Sequence, residues 1–500
     1  MELDLRMNTV ARTISWEELV KELDGATIRG TVDCAVTGLA YDSRRVRPGY
    51  VFVALAGQVV DGHEFVEDAI NRGAVAVVAE RDVRFRREIA LIRVADSRRA
   101  LAHLAARFYQ EPSRRLTTIG VTGTNGKTST TFMVRSLLGS IGPAPGLIGT
   151  VQYIIGERLL PASRTTPESL DLQEMFAQLL QAGVPSVVFE VSSHALSQHR
   201  VDDVCFDVGV FTNLTRDHLD YHHTMDAYFD AKQELFRMLG RQGKKAAAVI
   251  NADDPRSSRL RDVIDPSVKV VTYGLKPGAD IRAEDIQLSS EGSRFRLVTP
   301  WGAGEARLSL LGRFNVSNAL AAAGVAGVLG MPFDRMIAGL AHMPQVPGRL
   351  ELVSGEKTGY RVFVDYAHTD DALTNALQTL REITSGRLLV IFGCGGNRDR
   401  SKRPLMGAVA SQLADVSILT SDNPRKENPQ TIIEEIRAGF EPGSRVEVVE
   451  DRAQAIARGF ELARPGDSVL IAGKGHESSQ EFENTRVPFD DRQMARELLR

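Results

Sequence analysis

The chain has 500 residues, which at roughly 150 residues per domain suggests about three domains. Its 43% hydrophobic and 25% charged fractions are ordinary for a globular protein and exclude a disordered chain, a collagen and a coiled coil. With 61 Lys and Arg against 64 Asp and Glu the net charge is −3, so nothing electrostatic argues for a nucleic-acid partner. Cys34, Cys205 and Cys394 are too few and too scattered for a disulfide framework or a cysteine zinc site. Their odd number fits a reducing compartment. No apolar run approaches the roughly 20 residues of a membrane span. The N-terminal MELDLRMNTVARTISWEELV has early charges and no apolar h-region. The expectation is a cytoplasmic protein without membrane insertion.

No internal repeat of fixed period is present, and three blocks follow from pattern. The first, 1–97, has short apolar runs at 50–55 and 74–79, with an amphipathic stretch carrying Phe65, Val66, Ala69 and Ile70 between them. It reads as a small α/β domain. The second, 98–347, opens on the helix-like RRALAHLAARFYQEP. A strand (LTTIGVTG), a Gly-rich turn and a helix from Lys127 follow. Further strands are expected at 186–191, 206–211 and 246–251, with helical patterns between them, which argues for a parallel sheet covered by helices. SRFRLV and ARLSLL alternate with period 2 and predict an antiparallel hairpin. The apolar helix NVSNALAAAGVAGVL then leads into the linker HMPQVPGR. The third block, 348–500, has strands RVFVDY, RLLVIFG, VSILTS, RVEVVE and SVLIAG between helical stretches. It reads as a doubly wound, Rossmann-like α/β domain. DYAHT, GCGGNRDR, SDNPR and GKGHE fall where its strands end, and ligands bind at the carboxyl ends of such strands.

The turn at 120–128 carries the sharpest chemistry. Gly120, Gly123 and Gly126 precede Lys127 and Thr128 between a β-branched strand and a helix, the context a phosphate-binding loop needs. Glycines let backbone N–H groups converge on phosphate oxygens, and the helix N-terminus adds partial positive charge. Lys127 would neutralise the β- and γ-phosphates of a nucleotide, and Thr128 would offer a hydroxyl to Mg²⁺. The pattern departs from the general one at Val121, where a glycine is expected. Glu190 ends an apolar strand, and a carboxylate at such a tip suits the hard Mg²⁺ ion. Taken as residues alone, His218 is a histidine in a turn after another strand and Lys232 a helical lysine snorkelling over apolar neighbours. Asn315 and Asn318 read as helix caps.

GVTGTNGKTST, EVSSHAL, NLTRDHLDYH, AKQELF, GRFNVSNALAA, PGRLE, VDYAHTDDAL, GCGGNRDRSKRPLMG, DNPR and AGKGHE occur in this order and together closely resemble the Mur ligase family. These ATP-dependent amide ligases build the peptide of bacterial peptidoglycan. The C-terminal motifs resemble those of the branch that adds the third residue. The resemblance runs from about residue 40 to the C-terminus and agrees with three domains.

The resemblance implies roles residue by residue. Gly123, Thr124, Asn125, Gly126, Lys127, Thr128 and Ser129 would hold ATP, with Asn315, Asn318 and, from the third block, Arg349 and Asp365. Lys127, Glu190, His218, Lys232 and Arg349 would form the catalytic set. Thr128, Glu190 and His218 would lie at or near two Mg²⁺ ions. The matching family lysine is carbamylated, so Lys232 would capture CO₂ as N6-carboxylysine and turn a positive charge into a metal-binding negative one. Phe314 stands where many relatives have His and is given no nucleotide role. Tyr41, Ser43, Gln58, Val59 and Val60 would contact the uridine end of a UDP-muramoyl dipeptide, and Thr165, Thr166, Ser192, Gln198 and Arg200 its muramoyl dipeptide. Arg164 replaces an Asn of some relatives and is given no contact. Arg398, Asp422, Asn423, Pro424, Arg425, Gly473 and Glu477 would form the pocket of the incoming amino acid.

As four letters, DNPR could be an exposed turn. In the family it marks ligases that use meso-2,6-diaminopimelate, which is lysine with a second carboxylate at its far end. Arg425 could grip that carboxylate through two hydrogen bonds, whereas lysine would leave the guanidinium unpaired. Glu477 would accept from the distal ammonium. The expectation is thus a monomeric acid–amino-acid ligase working through an acyl phosphate. The alternatives are a lysine-adding or folate-type ligase of the same fold, a P-loop ATPase switch without ligation, and a non-catalytic binding module.

Overall fold

The computed structural model describes residues 12–57, 60–83, 88–241, 243–354 and 358–500. Gln58 and Val59 lie outside the described residues. The first sheet has five strands in the order Thr27–Arg29, Ala90–Arg93, Ala74–Ala79, Tyr50–Val53, Gly38–Ala40. All neighbours are parallel except the first pair. The helix Val66–Asn71 buries Val66, Ala69 and Ile70 on one face of this sheet, as the apolar spacing expects. The other face is covered by the helix Ser97–Phe108, whose Ala100, Leu101, Leu104, Ala105 and Phe108 form a cluster with Val51, Val53, Ala76 and Val78. The sequence expectation placed this helix at the head of the second block, yet its apolar face belongs to the first sheet's core. It stops where Gln110 and Glu111 turn left-handed before Pro112.

The second sheet has eleven strands. Its interior runs parallel through Ile281–Ser289, Lys269–Gly274, Ala247–Asn251, Val208–Phe211, Thr117–Thr122, Ser186–Glu190 and Gly146–Ile148. The expectation of a parallel sheet holds only for this interior. Antiparallel strands extend both ends, Gln152–Ile155 and Arg158–Pro161 on one side, Gly292–Thr299 and Gly302–Leu308 on the other. The hairpin expected from period-2 alternation is therefore present but serves as a sheet edge. Short turns through Gly156 and Gly302, both at positive φ, join strands too closely for a crossover, so pairing there must be antiparallel. The helices Lys127–Gly139 and Arg313–Val328 share one apolar cluster on one face. Ser169–Gln181 and Met225–Met238 contribute to the cluster on the other.

The third sheet has the order Glu351–Leu352, Arg361–Asp365, Ser468–Ala472, Leu388–Phe392, Val416–Leu419, Val446–Val448. The five expected strands are all present and mutually parallel, and Glu351–Leu352 adds an antiparallel edge. Helices cover both faces. A separate hairpin, Ser479–Phe482 with Thr485–Pro488, lies beyond the last strand and has no counterpart in the sequence expectation. Among the described residues, no helix is long and apolar enough to cross a membrane.

Candidate active site between the second and third sheets

The strand Thr117–Thr122 delivers the Gly-rich loop at the centre of the second sheet. Gly123 (φ 146°) and Gly126 (φ 84°) occupy conformations that disfavour a side chain. A Cβ on Gly126 would also run into Asn318 Oδ1. Lys127 Nζ donates to the carbonyls of Gly123 (2.9 Å) and Thr124 (2.8 Å). The loop thus holds its lysine where phosphate oxygens would replace carbonyls as partners. Burial lowers the Lys127 amine, with Glu190 opposing that shift.

Thr128 Oγ1 donates to Glu190 Oε1 at 3.0 Å. Glu190, buried at the tip of its strand, also accepts from Thr150 N (2.8 Å) and Thr150 Oγ1 (3.0 Å). Lys232 is 1% exposed, so it is not a surface lysine. Its Nζ donates to Gly123 O (2.9 Å) and lies 4.3 Å from the centre of the Tyr228 ring. Burial, reinforced by the charge of Lys127, pushes its amine well below the usual lysine range. His218 sits at φ 52°, packs edge-on against His194 (4.8 Å between ring centres) and Tyr228 (5.9 Å), and faces Asp217 with Nε2 at 3.5 Å. Desolvation brings its imidazole down to about 4, so it is neutral near pH 7. Among the described residues, no three His, Cys, Asp or Glu side chains gather into a metal cage. Thr128 and Glu190 touch each other, and His218 packs on Tyr228, the ring that also faces Lys232 and whose hydroxyl lies 3.2 Å from Thr124 Oγ1 in the loop.

Asn315 and Asn318 do not cap their helix, because its N-cap is Gly312 and the helix begins at Arg313. Asn315 Nδ2 donates to Leu311 O (2.9 Å), and Asn318 Nδ2 to Asn315 Oδ1 (3.3 Å). This places the buried Asn318 amide against Gly126. Ser129 is buried in the first turn of the loop helix.

The third sheet reaches this loop directly. Arg349 Nη2 donates to Thr128 Oγ1 at 3.1 Å, and its guanidinium lies 4.6 Å from the Tyr366 ring centre. Among the described residues, Asp365 has no hydrogen bond to the loop. It accepts from Leu350 N (2.6 Å) and Ala367 N (2.8 Å) and so fixes the backbone that carries Arg349. Sequence reasoning missed Asp371, whose Oδ2 accepts from Asn125 Nδ2 (2.7 Å) and Thr215 Oγ1 (3.2 Å). Its position within VDYAHTDDAL was the available signal.

The expected nucleotide-sugar residues fall in two groups. Tyr41 donates to Asp171 Oδ2 (2.5 Å), Ser43 is buried in a short 3₁₀ turn, and Val60 is exposed. Thr165 shares a hydrogen bond with Thr150 (3.0 Å between hydroxyls), and Thr166 donates to Glu190 O (2.8 Å). Ser192 caps the helix Ser193–Ser197. Arg200 donates to Thr166 O (2.9 Å) and Gln198 Oε1 (2.7 Å), and pairs with Glu168 at 3.1 Å. Its buried Nε has no partner among the described residues. Glu168, which sequence reasoning missed, also pairs with Arg98 and Arg164.

The carboxyl ends of the third sheet form the remaining wall. A cavity of about 370 Å³ is lined from the second-sheet side by His194, Asp217 and His218. From the third-sheet side it is lined by Arg398, Asp422, Asn423, Arg425, Gly473 and Glu477. Six of the seven expected amino-acid-pocket residues thus meet at one cavity. Pro424 is buried within the turn that shapes it. Gly473 is at φ 110°, where a Cβ would meet Asp422 Oδ2 at 2.5 Å. Glu477 Oε2 accepts from Asn423 Nδ2 (2.8 Å) and from the fully buried Lys474 (2.8 Å), a further residue not anticipated. Arg425 is not unpaired without a ligand, contrary to the sequence argument. Its Nε donates to Glu481 Oε2 (2.9 Å) and its Nη1 to Gly396 O (2.9 Å).

The chain is similar to known proteins along most of its length. The Mur ligase family, catalytic domain, matches residues 35–109; the Mur ligase middle domain, 121–326; and the Mur ligase, glutamate ligase domain, 348–475. UDP-N-acetylmuramoyl-L-alanyl-D-glutamate--2,6-diaminopimelate ligase of Caldanaerobacter subterraneus subsp. tengcongensis is 45% identical, over 94% of this chain and 96% of that relative. The ligase of the same name from Geobacillus kaustophilus is 46% identical, over 96% and 98%. A solved structure of an enzyme of that name superposes with a TM-score of 0.70 at 33% identity, covering 97% of this chain and 99% of the other. MurF from Acinetobacter baumannii shares the fold, with a TM-score of 0.67 at 22% identity over 93% and 96%. The chain belongs to the Mur ligase family.

Proposed function

We infer that this chain is an ATP-dependent ligase that adds meso-2,6-diaminopimelate to UDP-N-acetylmuramoyl-L-alanyl-D-glutamate in peptidoglycan synthesis. The observation that carries this reading is the single cavity joining His218, beside the phosphate loop, to Arg425 and Glu477. Near full-length likeness to ligases of that name supports it. Residues 1–97 would bind the uridine end of the substrate, 98–347 ATP, and 348–500 the amino acid, although the helix Ser97–Phe108 packs with the first of these.

The γ-carboxylate of D-glutamate attacks the γ-phosphorus of ATP, forming an acyl phosphate and releasing ADP. The amine of diaminopimelate then attacks the acyl carbon, and collapse of the tetrahedral intermediate expels phosphate. Lys127 leaves the Gly123 and Thr124 carbonyls for the phosphates. Arg349, aimed at Thr128 from the third sheet, meets the charge that develops on the transferred group. Arg200, with its unpaired Nε, takes a carboxylate or the pyrophosphate of the dipeptide substrate. Glu477 receives the distal ammonium, and Arg425 the distal carboxylate.

The donors present fit Mg²⁺, which uses one or two carboxylates with phosphate oxygens and water rather than an all-protein cage. Thr128 and Glu190 would hold it, and it would neutralise phosphate charge. Lys232 fits a carbamate, because only a neutral amine attacks CO₂, and burial beside Lys127 favours the neutral form. The amine nitrogen would bond to the CO₂ carbon and release one proton to water, giving a carbamate anion within reach of the loop.

Phosphate release from protein, ATP, Mg²⁺ and UDP-muramoyl-Ala-Glu tests the reading, with meso-diaminopimelate or L-lysine as acceptor. Release with diaminopimelate and little with lysine is expected. Release with lysine alone would overturn the amino-acid assignment, and release without any acceptor would overturn ligation.

A further inference from the structure

The hairpin Ser479–Pro488 grips Arg425 on both sides of its backbone. Arg425 N donates to Glu481 O (3.0 Å), and Glu483 N donates to Arg425 O (2.5 Å). These bonds hold Arg425 at φ 52°, a left-handed conformation that is unfavourable for a residue with a Cβ. The side chain is gripped as well. Glu481 Oε2 takes Nε (2.9 Å), Gly396 O takes Nη1 (2.9 Å), and Nη2 has no partner among the described residues. Arg425 is also a shared wall. It lines the cavity of Glu477 and His218, and it lines a second, outer cavity of about 510 Å³ with Glu481, Glu483, Asn484 and Arg486. Glu481 therefore approaches the guanidinium from the outer cavity.

We propose that Glu481 is a specificity-determining residue, resting on the reading that Arg425 receives the distal carboxylate of the amino acid. It fixes the guanidinium through Nε and leaves Nη2 for the ligand. By pairing with Arg425 in advance it also weakens the discrimination against amino acids without that carboxylate. A site rejects a ligand strongly when a buried polar group is left unpaired by it. Arg425 is never wholly unpaired, because Glu481 stays when lysine enters. Burial alone would raise the Glu481 carboxyl, but Arg486, bonded to its other oxygen at 2.8 Å, and Arg425 hold it below the usual carboxylate range. It is a fixed negative charge at neutral pH and repels the incoming distal carboxylate as well as orienting its receptor.

Two substitutions separate these effects. Glu481→Gln keeps an oxygen for Nε and removes the charge. The ratio of kcat/KM for meso-diaminopimelate over L-lysine should rise roughly 2- to 5-fold, the range of a partly exposed charge pair. Glu481→Ala removes the oxygen too, and KM for diaminopimelate should rise roughly 10-fold with kcat and the KM for ATP unchanged. A ratio that stays constant or falls in Glu481→Gln overturns the proposal. So does an equal loss toward ATP and both amino acids in the two variants, which marks a structural role alone. If the wild type does not prefer diaminopimelate and Arg425→Lys is silent, the assignment of Arg425 itself fails, and the proposal with it.

Discussion

Lys127 and Lys232 both donate to the carbonyl of Gly123, yet their surroundings suit them to opposite ends. Lys127 is half-buried at the start of a helix and can turn to a phosphate, whereas Lys232 is sealed against Tyr228. Lys127→Met should lower kcat at least ~100-fold in the phosphate-release assay, because it removes charge where charge develops. Lys232→Met should be as damaging for a different reason. A carbamate carbon signal in protein equilibrated with ¹³C-bicarbonate should be present in the wild type and absent from the variant. An intact signal in Lys232→Met would place the modification elsewhere. Arg425→Lys should raise KM for diaminopimelate about 10-fold or more, since a point ammonium cannot bond Glu481, Gly396 O and a ligand carboxylate in one plane.

At the scale of elements, the pocket walls are loops whose positions depend on the helices behind them. Arg403, fully buried in the helix Lys402–Leu413, bonds Glu427 just after the DNPR turn and Glu435 on the helix Pro429–Arg437. Glu427 also accepts from Asn397 N and so ties the GCGGNRDR loop to the DNPR loop. The Arg403 hydrogen bonds, helped by that backbone N–H, hold the Glu427 carboxyl at about 2. A depressed acid of this kind stabilises the fold above its unfolded value, near 4.3, and loses that contribution as pH falls through about 2. Glu427→Gln should therefore cost about 2 kcal/mol at pH 7. Its melting temperature should converge on that of the wild type between about pH 4 and pH 2, and a constant gap would refute the pairing.

The whole molecule is held in a state where the third sheet already touches the phosphate loop. Arg349 reaches Thr128, and Asp371 reaches Asn125 and Thr215. These few polar contacts are of the kind that open and close around a ligand. Asp371→Ala should loosen this arrangement. Small-angle scattering of the ligand-free protein should give a larger radius of gyration than the wild type, and an unchanged profile would show that other contacts hold the domains. Burial raises the Asp371 carboxyl above the usual range, opposed by the hydrogen bonds from Thr215 and Asn125.

The sequence by itself determined the parts whose cause is local. The Gly-rich loop between strand and helix, the five parallel strands of the third sheet and the polar motifs at their ends follow from hydrophobic period and from residues that few other turns tolerate. Motif order pointed to the family. Tertiary structure alone decided what depends on residues far apart in the chain. It sent the helix Ser97–Phe108 to the first sheet because its apolar face matches that core, and it made the ends of the second sheet antiparallel. It gave Asp365 a buttressing role, since its oxygens are taken by backbone N–H groups. It brought Asp371 to Asn125, 246 residues away, and Glu481 to Arg425, 56 residues away. No period or motif encodes such pairs. A guanidinium's partner is whichever carboxylate the folded backbone delivers to it, and here a hairpin of four-residue strands, too short to show a pattern, delivers Glu481.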